Sequence, residues 1–261
     1  WYGLADEALE DAIYDSQAMR DFVGIDLSIE SVPDATTLLR FRHLLERHSL
    51  TQRIFEEINA SLAERGLFMR EGTIVDATII AAAPSTKNKA KQRDPAMKQT
   101  RKGNQWYFGM KAHIGVDAAT GLTHSLVATS ANQADITVAE QLLRDDKEPI
   151  YADAGYTGLG KRLCGDDDTL PPLRIAARRS TIKKMEDGPE KQILQRIEHC
   201  KASIRAKVEH PFHVIKNLFG HRKVRYRGME KNQAQLFSLF ALANLVLAKR
   251  CYAVTDGVIA S

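Results

Sequence analysis

"TIVDATII", Thr73 to Ile80, is a run of β-branched and apolar residues around one carboxylate. It is too short for a helix of its own and reads as a buried strand. The pattern around it changes at Gly72. Asp76 sits in the middle of that strand, and a carboxylate buried without a partner costs several kcal/mol. Its partner is a salt bridge, a backbone N–H or a metal ion, and the strand by itself leaves the three open.

Upstream of Gly72, residues 4–68 read as helices. "DEALEDAIYDSQAMRDF" carries Leu9, Ala12, Ile13 and Met19 at helical spacing. "VPDATTLLRFRHLLERHSL" opens on a helix start signal, and "TQRIFEEINASLAERGL" ends on Gly66 as a C-cap. Downstream, Lys87–Gly103 shows no periodicity and reads as a basic loop. "WYFGMKAHIGVDAATGLTHSLVATS" reads as two strands around an Asp117–Gly121 turn. "NQADITVAEQLLRDD" is expected to be a helix capped near Asp135, "EPIYADAGYTG" a short strand ending in Asp153, and "LPPLRIAARR" a weaker last strand. Helices follow from Ser180 to about Phe219, and "NQAQLFSLFALANLVLAKR" is an apolar, buried helix. The hairpin makes three strands antiparallel, and a helix before the next strand permits a parallel crossover. The expected fold is a mixed α/β sheet without GxGxxG or a Walker loop. Its divisions are a helical region at 1–70, a sheet-bearing domain at 71–250 and a tail at 251–261.

Bulk properties set bounds. The chain has 261 residues, 44% hydrophobic and 27% charged, which is ordinary for a soluble globular protein. No run is long enough to span a bilayer. Three scattered cysteines, Cys164, Cys200 and Cys251, fit reduced cytosolic thiols and no zinc pattern. The chain opens on Trp1 with an apolar tetrapeptide, which points to a fragment with an upstream segment missing. The net charge of +4 hides an uneven distribution. Residues 1–80 hold seven basic and fifteen acidic side chains, whereas Lys87–Lys111 holds eight basic ones against Asp94 alone. A second basic block, Cys200–Lys231, has nine basic residues against Glu209 and Glu230. Two such blocks are either a polyanion groove or two solvated loops. As a groove they offer Lys102, Lys111, Arg205, Lys207, Lys216, Arg222, Lys223 and Arg225 to nucleic-acid phosphates.

Glu209 lies inside that basic block, in "RAKVEHPFHVIK". On a continuous helix Arg205, Glu209, Phe212 and Lys216 share one face, beside an apolar stripe of Val208, Phe212, Ile215 and Phe219. Pro211 demands a kink or a fresh helical start near Glu209. Glu209 is either an ion-pair partner of Arg205 or a third member of a set with Asp76 and Asp153. Three carboxylates without His or Cys form a hard-oxygen site for Mg²⁺ or Mn²⁺ rather than zinc. Two such ions activate a water or a 3′-hydroxyl in phosphodiester displacement.

These segments resemble bacterial insertion-sequence DDE transposases of the IS-five type, within the IS-four superfamily. "GTIVDATII" is similar to the segment bearing the first Asp, and "IYADAGYTG" to that bearing the second. "RAKVEHPFHVIK" matches the signature Tyr-x2-Arg-x3-Glu-x6-Lys at Arg205, Glu209 and Lys216, with Ala202 in place of the tyrosine. The resemblance implies a ribonuclease H-like core with helices on both faces of its sheet. It implies Asp76, Asp153 and Glu209 as catalytic ligands of two Mg²⁺ ions, with Mn²⁺ as a substitute. It also implies transposon-end and target DNA as partners, a homo-oligomer on DNA, and the bacterial cytoplasm and nucleoid as location. The rival readings are an inactive transposase-derived DNA-binding protein and a ribonuclease H-like nuclease without strand transfer. Trp106 and Tyr107 either stack on an unpaired base or begin a strand and pack inside. His113 reads as a core histidine, Asp117 and Asp135 as turn and cap residues, and "CGDDD" (Cys164–Asp168) as a solvated loop.

Overall fold

The computed structural model describes residues 2–255 apart from 88, 90, 145, 146 and 164–169. Cys164–Asp168 and residues 256–261 of the expected tail therefore lie outside the described residues.

Strand β1 (Thr73–Ala81) runs through the middle of a six-stranded mixed sheet. Gly72 admits the chain to it: its φ is +136°, and a Cβ there would stand 2.7 Å from the Pro149 carbonyl oxygen. On one edge β1 pairs antiparallel with β3 (Gln105–Asp117), from Thr73↔Asp117 to Ala81↔Gly109. The outer edge of β3 carries β2 (Lys98–Lys102) and β4 (Thr123–Ser130) end to end, both antiparallel. On its other edge β1 meets β5 (Ile150–Ala152) in parallel, and β5 pairs in parallel with β6 (Leu173–Ile175).

Most sequence expectations hold, with two corrections. The basic stretch before Gly103 is not all loop, because Lys98–Lys102 forms β2. Its residues are polar and mostly exposed, so no apolar alternation marks it, and only its pairing with β3 makes it a strand. The segment after Asn132 is not one helix but two 3₁₀ turns, Asp135–Thr137 and Ala139–Leu142. Its Ile-Thr-Val run is β-branched and costly in a helix, and the short turns suffice to bury Ala139 and Leu142. Asp135 is not a cap; its carboxylate takes the Lys111 ammonium at 2.8 Å.

Helices cover both faces. Before the sheet come α1 (Asp6–Asp15), α2 (Gln17–Val23), α3 (Ala35–Arg47) and α4 (Leu50–Glu64). Asp34 caps α3 by accepting the Thr37 N–H, and Gly66, with φ +72°, closes α4 as expected. After the sheet come α5 (Leu159–Leu163), α6 (Arg179–Lys183), α7 (Pro189–Arg205), α8 (Glu209–His213) and α9 (Met229–Thr255). Side chains alternate along β1. Ile74 and Ile80 pack with Phe55 of α4, Phe212 of α8 and Phe240 of α9. Val75 packs on the opposite face with Leu142, Ala152, Tyr156 and Leu159. Among the described residues no helix is long and apolar enough to cross a membrane.

Candidate active site

The register of β1 and β5 decides where the two aspartates stand. Their last parallel pair is Ile74↔Tyr151. Asp76 and Asp153 each lie two residues beyond it, so they occupy equivalent positions at the carboxyl end of that pairing. Two residues restore the side-chain direction, so both belong to the face of Ile74 and Tyr151, which is the face that α8 covers. Farther along, Ala81 makes a parallel bridge to Lys223. Between Ile74 and Ala81 that edge of β1 is open, and Asp76 and Thr78 sit in the gap.

Glu209, in the helical layer, lines one groove with Thr78 of that strand. The helix of α7 tightens to a 3₁₀ turn at Ala206–Val208, restarts as α8 at Glu209 and widens to a π turn at Val214–Leu218. Pro211 explains the change of pitch, since it lacks an N–H and its ring crowds the carbonyl four residues back. The fresh helical start expected near Glu209 is therefore present, and Glu209, Phe212 and Lys216 line one groove. The ion pairs of the described residues do not include one between Arg205 and Glu209. That removes the simple ion-pair account of Glu209.

The electrostatics tie the pieces together. Burial pushes the half-buried Asp76 carboxyl up to about 6, opposed by the Ala77 N–H that its Oδ1 accepts at 2.7 Å. The charges of Asp153 and Glu209 push it further up, while the Arg205 guanidinium draws it down. Asp153 Oδ1 accepts the Gly155 N–H at 2.8 Å and so caps the turn Ala154–Tyr156. A Cβ at Gly155 would stand 2.9 Å from the same oxygen. Among the described residues no group of three carboxylate, His or Cys side chains is gathered tightly enough to hold an ion as it stands. The chemistry of the three carboxylates nevertheless suits a hard divalent cation, which would relieve the repulsion that Asp153 and Glu209 exert on Asp76.

A basic rim surrounds these acids. The Lys216 ammonium donates to Thr78 Oγ1 at 2.6 Å. Burial lowers its pKa, the charges of Lys102 and Arg222 lower it further, and Glu209 opposes them. A groove of about 480 Å³ runs between Thr78, Tyr107, Glu209, Lys216 and Arg222. Of the three carboxylates Glu209 alone lines this groove, and none lines the larger hollows of about 780 and 640 Å³ beside the N-terminal helices.

Other basic candidates stand elsewhere. Lys111 lies on the opposite face of the sheet, bonded to Asp135. Lys207 donates to the carbonyls of Ala118 and Ala119 at 2.7 and 2.9 Å. Arg225 donates to the Gly3 carbonyl at 3.3 Å. Lys223 is exposed beside the Ala81 bridge. His113 pairs with Ala77 and so faces away from Asp76; it is fully buried, with Nε2 at 2.8 Å from Thr129 Oγ1. Asp117 holds its turn by accepting the Ala119 and Thr120 N–H groups. Trp106 is 64% exposed at the tip of the β2–β3 hairpin, and Tyr107 lines the groove. Sequence reading missed Thr78, which was findable as the residue two beyond Asp76 on one strand face.

Residues 67–245 match the family model described as "Transposase DDE domain". The chain belongs to that transposase family. Residues 1–44 match a second model, "Transposase domain (DUF772)". Asp76, Asp153 and Glu209 all fall within the DDE match. Among solved structures, the chain is similar to piggyBac transposase in a cryo-EM synaptic complex with hairpin DNA. The TM-score is 0.51 at 11% identity, covering 95% of this chain and 62% of that one. At that identity the likeness is one of fold, and this transposase-family chain spans under two thirds of the other protein's length.

Proposed function

We propose that this chain is a DNA transposase that cleaves at transposon ends and joins the freed end to target DNA. The observation that supports this reading is the matched strand positions of Asp76 and Asp153, with Glu209 across a groove from Thr78 of the same strand. The three carboxylates are proposed as ligands of two Mg²⁺ ions, with Mn²⁺ as a substitute. When bound, such ions activate the attacking oxygen and stabilise the leaving one. The side chains then divide the work. Asp76, raised by burial and by its acidic neighbours, is the carboxylate that gains most from a cation. Lys216, Lys102 and Arg222 meet phosphates along the groove, and Arg205 offsets the negative charge at Asp76. Trp106 is placed to stack on an unpaired base beside the groove.

The partners proposed are double-stranded transposon-end and target DNA, bound by a homo-oligomer in the bacterial cytoplasm. The helical region 1–70 would serve DNA binding and assembly, and residues 71–250 catalysis. The IS-five type, implied by the motif matches, is proposed with them.

The test incubates the protein with labelled transposon-end DNA and Mg²⁺, beside Glu209→Gln, Asp76→Ala and a metal-free control. Metal-dependent nicking that both variants lose, with DNA binding kept, is the expected result. Nicking by Glu209→Gln at the parent rate would remove Glu209 from the mechanism. A pre-cleaved 3′-OH donor then separates strand transfer from simple nuclease action.

A further inference from the structure

His213 lines the groove one helical turn beyond Glu209, with Lys216, Asn217 and Arg222 beside it. The chain widens there into the π turn Val214–Leu218, where the Phe219 N–H reaches back five residues to the Val214 carbonyl at 2.9 Å. Such turns recur at functional sites. Across this one, Asn217 Nδ2 and His213 Nδ1 stand 2.8 Å apart. The other end of the same amide is taken, because Arg222 Nη2 donates to Asn217 Oδ1 at 2.6 Å. Arg222 is itself anchored by its Nε, which donates to the Lys216 carbonyl at 3.2 Å. A guanidinium has donors only, so the amide atom facing Arg222 is the oxygen and the one facing His213 is the NH₂. An amide NH₂ cannot accept, so His213 Nδ1 is the acceptor and the ring proton sits on Nε2. Among the described residues no side chain bonds to that Nε2. All three side chains are exposed, so these bonds add little stability. What they fix is the direction and the tautomer of the ring.

We infer that His213 is a further DNA-contact residue of the groove: Asn217 and Arg222 hold its ring as the Nε2–H tautomer, and that N–H donates to a phosphate oxygen of the DNA backbone. The inference rests on the reading of the groove as the path of the DNA. Lys216 and Arg222 supply charge along that path, and charge attracts any stretch of a polyanion. A neutral imidazole N–H adds direction without charge, so it selects where along the strand a phosphate oxygen settles. Salt separates the two kinds of contact. A cation that meets a phosphate displaces counterions and steepens the salt dependence, whereas a neutral donor displaces none.

The experiment measures binding of a labelled transposon-end duplex to the 261-residue chain across a salt series. It is run at about pH 8, where an imidazole is neutral, for the parent, Lys216→Ala, His213→Ala and His213→Gln. His213→Ala should bind about 10-fold more weakly, the loss of one hydrogen bond to a charged group, with the slope of log affinity against log salt unchanged. His213→Gln, which carries an N–H donor of similar reach, should recover most of that loss. Both His213 variants should melt with the parent, since the ring is exposed. Nitrogen NMR of the ring should find the parent's proton on Nε2, and Asn217→Asp, which sets an acceptor against Nδ1, should bring a proton there. Parent-like affinity in His213→Ala beside a weakened Lys216→Ala would overturn the inference and leave the DNA in the groove. A parent ring protonated on Nδ1, or a reduced salt slope in His213→Ala, would likewise overturn it. Parent-like affinity and slope in both alanine variants would take the DNA out of the groove, and the inference with it.

Discussion

The ammonium of Lys216 donates to Thr78 Oγ1 at 2.6 Å, and Thr78 is two residues along β1 from Asp76. A lysine from the π turn is thereby pinned to the strand that carries the first carboxylate. Its burial and its neighbours Lys102 and Arg222 weaken its hold on the proton, so a phosphate arriving there meets a poorly compensated cation. Lys216→Ala should weaken duplex binding and reduce the slope of log affinity against log salt by about 1. Thr78→Val should leave that slope near the parent value, because the charge remains. Affinity measured across a salt series decides it; an unchanged slope in Lys216→Ala would take Lys216 off the phosphate path.

Gly155 tests the second carboxylate without touching it. A Cβ there would stand 2.9 Å from Asp153 Oδ1, the oxygen that the Gly155 N–H already holds. The oxygen is the end of a movable side chain, so Gly155→Ala should shift the carboxylate rather than unfold the turn. Nicking should fall by roughly 10-fold, in line with the loss of other ligand-orienting contacts, while the melting temperature changes little. A full-rate Gly155→Ala enzyme would show that the Asp153 carboxylate need not sit where the turn holds it.

The sheet's centre and Asp76 were legible in the sequence because burial leaves a mark. "TIVDATII" could be little other than a core strand, and a carboxylate inside one demands a partner. Pro211 announced the change of pitch before Glu209. What stayed hidden was set by pairing rather than pattern. β2 is exposed and polar, so only its register with β3 makes it a strand. Lys111 and Lys207 read as free cations in a basic block, yet one lies on the far face and the other clamps the Ala118–Ala119 turn. Which face of a strand a charge takes depends on register, and no composition reveals that.

Trp106 stands across from Arg101 in the β2–β3 hairpin and is 64% exposed. An indole so exposed contributes little to the core, so Trp106→Ala should leave the melting temperature unchanged. Binding to DNA with unpaired bases near the end should weaken by about 1–3 kcal/mol, the range of a base–aromatic stack. Fully paired duplex should bind nearly as before. Equal losses on both substrates would assign the indole to general contact area instead of stacking.

Acid should loosen the fold, and the sign follows from four groups. Burial lowers His113 to about 4, with Asp135 opposing and Lys111 assisting; burial and Arg144 lower His124 to about 3; burial and Arg225 lower His221 to about 4. Unfolded, each takes a proton near pH 6.5, so below that pH the unfolded chain binds protons that the folded chain refuses. Their contribution is complete above about pH 6.5 and drains away towards pH 4. Asp76 works the other way: folded it binds a proton near pH 6, unfolded only near 3.8, so its burial penalty eases as the pH falls from about 6 and is gone below about 3.8. Three protons against one leave a net of about two between roughly pH 5.5 and 4.5, each worth up to about 1.4 kcal/mol per pH unit. Urea unfolding in metal-free buffer should show that decline, and Asp76→Asn, which lacks the opposing proton, should steepen it. Stability that stays level from pH 7 to 4.5 would contradict the neutral, buried state of these histidines.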